Sequence, residues 1–184
     1  MSVTTNSRKS NVGFMFGLIG GLVMSVYLYL LYLGGVSYFL GTIAWLGTVI
    51  IIGIAVVAGL RQKKMNGGFL PFAEALKVVF TVFAVSFLIQ TLFNYVLLNY
   101  IDTSFRDALS HATLEKTGDF MRRLGASETQ IEEAMEGASK KNNYSLGNVF
   151  LGYGMICIVF FLISLLIAAI IKKKQPPFEN SFNQ

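Results

Sequence analysis

Residues 146–171 read LGNVFLGYGMICIVFFLISLLIAAII and carry no charged side chain. A helix needs about 20 mostly apolar residues to cross a hydrocarbon layer roughly 30 Å thick. Backbone amides left unpaired in lipid cost several kcal/mol each, so such a segment must satisfy its hydrogen bonds internally. The stretch therefore predicts a transmembrane α-helix.

Three earlier stretches, 12–33, 38–60 and 75–98, have a similar length and composition, and 54% of the chain is hydrophobic. None alternates as a lipid-facing β-strand would, so the predicted fold is all-α, an integral membrane four-helix bundle. Arg8 and Lys9 precede the first stretch, as in a secretory signal. Its length and the rapid start of the second stretch favour a retained anchor.

Positive charges near short loops stay in the cytoplasm. Four spans with both ends inside would leave the two tails and the loop between spans 2 and 3 in the cytoplasm. These segments contain nine Lys and Arg residues and two Glu residues. The connection 102–145 carries six basic and eight acidic residues. We therefore predict cytoplasmic tails at 1–11 and 172–184, spans 1–3 within 12–101, a periplasmic connection at 102–145 and span 4 at 146–171. The basic balance indicates topology and affinity for the lipid bilayer, not nucleic-acid binding.

The long connection between spans 3 and 4 is predicted to be helical and amphipathic. Phe105 and Leu109 fit a first helix, and Phe120 and Leu124 continue its apolar face until Gly125. A second helix follows, with Ser127 and Gln130 spaced as a capping box.

Small residues recur every fourth position in the first span, at Gly13, Gly17, Gly21 and Ser25. Such a ridge allows a second helix to approach closely. We expect it to pack inside the bundle, with self-association or no special role as the alternatives.

Polar residues recur at the same spacing in the third span, at Ser86, Gln90 and Asn94. Interhelical hydrogen bonds of this kind set helix register as often as they bind a substrate. Both interpretations stay open, with register favoured over a substrate path.

The inner loop contains a third group, the candidate interface segment Gly67, Gly68, Pro71, Glu74 and Lys77. The glycines indicate a turn, and Pro suits the first turn of a helix. Its apolar neighbours predict a stretch lying at the membrane surface. Glu74 and Lys77 are expected to form a solvated pair, with gating or proton handling by Glu74 as the alternative.

No catalytic, cofactor or metal set is predicted. Cys157 is the only cysteine and His111 the only histidine, so neither a disulfide within the chain nor a Cys-x-x-Cys site can form. His111 is expected to be a solvated surface residue. The absence of charge deep in the spans argues against an ion-driven pump.

The sequence GGFLPFAEALK at 67–77, NYID at 99–102 and the four-span layout resemble a bacterial family, found mainly in Bacteroidota and catalogued as domain of unknown function 4199. The resemblance covers about 12–174. It implies an integral inner-membrane protein and supplies no reaction, cofactor or site residue.

These observations favour a non-catalytic accessory or scaffold subunit that binds another membrane protein or forms a homo-oligomer. One alternative is a small transporter or lipid-handling protein, for example for polyprenyl-linked sugars. Another, attached to the resemblance, is an accessory to a membrane glycosyltransferase. An enzyme acting on a lipid-linked substrate is the least favoured class.

Overall fold

A computed structural model describes residues 11–140 and 143–174. The expectations for Arg8, Lys9 and most of the tail 172–184 therefore lie outside it. The elements are, in chain order, α1 (Val12–Leu33), α2 (Val36–Phe39), a 3₁₀ turn (Thr42–Trp45), α3 (Leu46–Met65), α4 (Phe72–Val96), a π turn (Leu97–Ile101), α5 (Thr103–Arg123), α6 (Glu128–Lys140) and α7 (Leu146–Ile171).

Four helices are long and apolar enough to cross a membrane: Val12–Leu33, Thr42–Met65, Phe72–Ile101 and Leu146–Ile171. The all-α fold with four spans is confirmed, and the chain is an integral membrane protein. The second span begins four residues later than predicted, because Gly41 follows the separate helix α2 in an extended conformation. The third span is longer than predicted at both ends, since α4 starts directly after Pro71 and continues through the π turn.

Helix α4 occupies the centre of the bundle and packs against α1, α3 and α7. Its buried face includes Val79, Val82 and Phe83, which join Ile51 of α3 in one apolar core. The ring of Phe160 on α7 lies 4.8 Å from that of Phe83 and 4.4 Å from that of Phe87. The outward faces of α1, α3 and α7 expose apolar side chains, as expected of helices solvated by lipid.

The connection between the third and fourth spans folds into a helical hairpin of α5 and α6, which we call the outer hairpin. Its two helices meet at Gly118, where an added Cβ would lie 3.2 Å from the Met135 sulfur. The predicted capping box is confirmed: Ser127 N–H donates to Gln130 Oε1 (3.0 Å), and Gln130 N–H donates to Ser127 Oγ (3.3 Å). Gly125 ends α5 with a φ of +85°.

Candidate functional site

The end of the bundle that carries the α3–α4 turn and the end of α7 is its basic end. There α3 stops in a Schellman motif. Gly68 N–H donates to Lys63 O (2.9 Å), and Gly67 N–H donates to Lys64 O (3.2 Å). Gly67 has a φ of +67° and Gly68 a φ of +91°, a region that side chains with a Cβ rarely adopt. The two glycines therefore turn the chain and satisfy the last carbonyls of α3.

The residues after this turn are tied to the end of α7. Leu70 and Lys173 exchange two backbone hydrogen bonds, each 2.8 Å long, and Leu70 is fully buried. Lys63 Nζ donates to the carbonyl of Ile171 at 2.9 Å. Leu70 thus belongs to the bundle interior, which corrects the expectation that this part of the segment lies on the membrane surface. The reason is that pairing with Lys173 satisfies its backbone and burial removes its side chain from lipid.

Glu74, in the first turn of α4, is the acceptor at the centre of this region. Its Oε1 accepts hydrogen bonds from Gln62 Nε2 (3.0 Å) and Asn66 Nδ2 (2.9 Å). Gln62 Nε2 also lies 3.1 Å from Asn66 Oδ1. The ion pairs among the described residues all lie in the outer hairpin, so the expected pair of Glu74 with Lys77 is replaced by these amide contacts. Glu74 therefore fixes the α3–α4 turn to α4.

Two open clefts flank Glu74. One, of about 280 Å³, is lined by polar and apolar side chains that include Gln62, Lys77 and Thr81. The other, of about 630 Å³, is lined by Glu74 together with Phe69, Pro71 and Lys174, among others. Glu74 thus lines two clefts, one shared with Lys77 and the other with Lys174. The carboxylate, amide and ammonium groups of these clefts are hydrogen-bonding groups that a polar ligand could use.

No group of three His, Cys, Asp or Glu residues that could hold a metal ion occurs within residues 11–140 and 143–174. His111 is exposed on α5. Asp107 and Glu115, one turn away on either side, are exposed as well. His111 therefore lies on the exposed surface of α5, as expected from the sequence.

The small-residue ridge of α1 faces α4. A Cβ added at Gly13 would lie 2.9 Å from Val78 O, and one added at Gly17 would lie 2.7 Å from the Val85 Cβ. At Gly21 the nearest atom would be Ile89 Cδ1, at 2.6 Å. These distances are shorter than ordinary van der Waals contact. The small-residue ridge of α1 therefore packs against α4 within the bundle.

The polar stripe of α4 divides into two parts. Ser86 Oγ donates to Gly17 O at 2.9 Å and is fully buried, so it joins α4 to α1. Gln90 and Asn94 lie one and two turns further along and are half-buried. Asn94 Oδ1 is buried without a hydrogen-bond partner among the described residues, and so is Ser25 Oγ on α1. The stripe thus provides one hydrogen bond, from Ser86, that fixes α4 against α1. Beyond it, the stripe contains a buried oxygen, Asn94 Oδ1, without a hydrogen-bond partner among the described residues.

The outer hairpin contacts the bundle through the first half of α5. The Phe105 ring packs edge-on against Tyr32 (4.8 Å) and Phe39 (5.5 Å), and Lys116 Nζ donates to Leu40 O at 2.9 Å. Beyond Lys116, α6 packs against α5 at Gly118, whereas Phe120 and Leu124 of the apolar face expected from the sequence are exposed.

Two further sets of contacts, besides the Leu70–Lys173 pair, were not predicted from the sequence. One is the pairing of Gln62 and Asn66 with Glu74. The sequence feature that could have indicated this pairing is the i, i+4 spacing of the Gln62 and Asn66 amides at the basic end of α3. The other is the hydrogen bond from the Tyr32 hydroxyl to Asp102 Oδ2, 2.9 Å long. These residues are 70 positions apart, and no sequence pattern links them.

A family model described as "Protein of unknown function (DUF4199)" matches residues 15–173 of the chain. No curated protein and no solved structure is significantly similar to it. The match includes the turn 67–77, the residues 99–102 and all four spans apart from the first turn of α1. Because it covers most of the sequence, the chain belongs to this family of unknown function.

Proposed function

We propose that this protein is a non-catalytic accessory subunit that holds another membrane protein against its outer hairpin. The observation that supports the proposal is the exposure of Phe120 (62%) and Leu124 (71%), one helical turn apart at the end of α5. Both residues lie outside the four spanning helices. Exposed apolar side chains that are not covered by lipid favour a protein partner.

The position of this pair supports docking over lipid insertion. Helix α5 begins directly after Asp102 and is fixed over α2 and the residue that follows it by Phe105 and Lys116. Its last turns also carry charged residues: Arg122 forms ion pairs with Asp119 (3.0 Å) and Glu128 (3.0 Å). An aromatic anchor rimmed by charges is typical of the centre of a protein interface.

We further propose that the membrane is a bacterial inner membrane, with both termini in the cytoplasm. The positive-inside rule supports this orientation, because Arg61, Lys63 and Lys64 adjoin the short α3–α4 turn. The outer hairpin would then be periplasmic and available to an integral partner from that side.

Photo-cross-linking in intact membranes tests the docking proposal. A photo-reactive phenylalanine analogue at position 120 is expected to give one adduct of defined mass with another integral membrane protein. The same analogue at position 111, which is exposed on the same helix, is the matched control and is expected to give no such adduct.

Mild-detergent purification provides the second readout. Phe120→Ser combined with Leu124→Ser is expected to release the cross-linked partner, while His111→Ser retains it. A chain that purifies alone and forms no adduct from position 120 would contradict the proposal. An adduct only with a second copy of this chain would replace the hetero-partner with a homo-oligomer.

A small lipid-handling protein is the second candidate, and one observation favours it. The half-buried Gln90 and the unpaired Oδ1 of Asn94 lie along α4, and α4 begins beside the clefts around Glu74. Polar groups inside lipid normally face protein or a ligand. Ser86, in contrast, already bonds to Gly17 and is a structural residue.

A further inference from the structure

A third cleft, separate from those around Glu74, lies on the outward face of α3. It is open, measures about 660 Å³ and is lined by Val57, Leu60, Arg61, Lys64 and Met65. These positions follow the i, i+3, i+4, i+7 spacing of a single helix face. Two apolar members, Val57 and Leu60, lie toward the middle of the span, and the two cations lie in the last turns of the helix together with the third apolar member, Met65.

We propose that this face binds one anionic phospholipid, with its phosphate between Arg61 and Lys64 and one acyl chain along Val57 and Leu60. Basic residues at the end of a span, next to an apolar helix face, are the features that recognise such headgroups. Val57 and Leu60 are about half exposed, so an acyl chain can reach both.

The charges of this site are free for a ligand. All ion pairs within residues 11–140 and 143–174 lie in the outer hairpin. Within those residues, neither Arg61 nor Lys64 pairs with an acidic side chain. Lys63, between them, differs because its ammonium group donates to Ile171 O. Lys63 therefore has a structural contact, whereas Arg61 and Lys64 on either side of it are exposed.

The site is also partly organised. The Arg61 guanidinium carbon lies 5.8 Å from the centre of the Phe16 ring of α1, which orients the side chain along the bundle surface. The end of a helix normally carries partial negative charge that would repel a phosphate. Here the carbonyls of Lys63 and Lys64 accept hydrogen bonds from Gly68 and Gly67, which reduces that repulsion.

Native mass spectrometry of the full-length protein tests this proposal. The protein is delipidated and exposed to phosphatidylglycerol or to phosphatidylcholine with identical acyl chains. We expect one phosphatidylglycerol to be retained per chain and phosphatidylcholine to be lost. Glycerol phosphate, which has the anionic headgroup without acyl chains, is expected to bind much more weakly than the intact lipid.

Three variants locate the site. Arg61→Gln combined with Lys64→Gln is expected to weaken phosphatidylglycerol binding about 30-fold, since each cation near the surface contributes roughly a fivefold change in affinity. Lys172→Gln removes an exposed charge at the same end, outside this face and outside the clefts around Glu74, and is the matched control that retains the lipid. Arg61→Lys with Lys64→Arg preserves both charges and is expected to restore binding.

Val57→Trp leaves Arg61 and Lys64 in place and fills the apolar part of the face with a larger side chain, so it is expected to displace the lipid. It serves as the deciding variant if the double glutamine substitution prevents insertion. Equal retention of the two lipids, an unchanged affinity in Val57→Trp, or an equal loss in Lys172→Gln would each overturn the site in favour of diffuse attraction to the membrane surface.

Discussion

The Tyr32 hydroxyl, at the end of the first span, donates to Oδ2 of Asp102, immediately before α5, at 2.9 Å. The other oxygen of the same carboxylate, Oδ1, accepts from Phe105 N–H at 2.8 Å and caps α5. One carboxylate therefore joins α1 to the outer hairpin. This joint determines where the proposed docking surface sits relative to the bundle.

Replacing Asp102 with Ala is expected to loosen the first turn of α5 without unfolding the spans. The cap and the contact to Tyr32 are lost together, while the packing of the core around Phe83 is untouched. Hydrogen–deuterium exchange of the Phe105 amide should become several-fold faster. Asp107→Ala, an exposed change one turn further along, is the control and should leave that amide unchanged. Equal exchange in both variants would show that the joint does not hold α5.

The same joint predicts a pH dependence. The Phe105 amide and then the Tyr32 hydroxyl stabilise the carboxylate, so they lower the pKa of Asp102 below its ordinary value of about 3.9. A lowered folded-state pKa contributes stability that is complete above about 3.9 and is lost as the pH falls through the folded value. The protection factor of the Phe105 amide, which corrects for the pH dependence of intrinsic exchange, should therefore fall only in acid below about pH 4, and Asp102→Asn should abolish that fall.

Glu128 provides an internal comparison for this experiment. The hydrogen bond and charge of Arg122 lower the pKa of Glu128, so the contact between α5 and α6 also weakens in acid. In Asp102→Asn, acid should still lower the protection factors of amides near the start of α6 while leaving the protection factor of Phe105 unchanged. A parallel response at both places would mean that the hairpin opens as one unit.

The local features of this fold were predictable from the sequence, because they depend on residues close together in the chain. The apolar runs predicted four spans, and Ser127 with Gln130 predicted a capping box that the structure contains. The cluster around Glu74 depends on the geometry of the α3–α4 turn, and the Leu70–Lys173 pair joins residues far apart in sequence. Neither contact follows from periodicity, so both required the structure.

The outer hairpin illustrates the same limit. Phe120 and Leu124 continue the apolar pattern begun by Phe105 and Leu109, and the pattern alone does not distinguish a buried face from an uncovered one. Only the first half of α5 lies against α2, so Leu109 is buried while Phe120 and Leu124 are exposed. Which part of an amphipathic helix is covered depends on the tertiary position of its neighbours.

The close approach of α1 and α4 predicts an asymmetric response to glycine replacement. Gly17→Ala places a methyl group against Val85, and overpacking of this kind costs about 1–3 kcal/mol. Gly53→Ala, on α3, meets no atom within 4 Å and should change stability by no more than about 1 kcal/mol, in the favourable direction. Thermal denaturation of both variants in the same detergent measures the difference. Similar midpoints would show that the α1–α4 seam adjusts freely.

The polar stripe separates the two proposed functions. Ser86→Ala removes the bond to Gly17 O and is expected to cost about 0.6 kcal/mol, the average for interhelical bonds in membranes. Asn94→Leu removes a buried, unpaired oxygen whose desolvation costs about 1–3 kcal/mol, so the variant should accumulate at least as well as the wild type. Accumulation is measured in isolated membranes beside the cross-link from position 120. If Gln90→Leu with Asn94→Leu keeps accumulation, the cross-link and every lipid-linked product of the cell, the accessory function stands and the stripe has no substrate. If the protein and cross-link persist while the cell loses a lipid-linked product, the stripe handles lipid and the second candidate is correct.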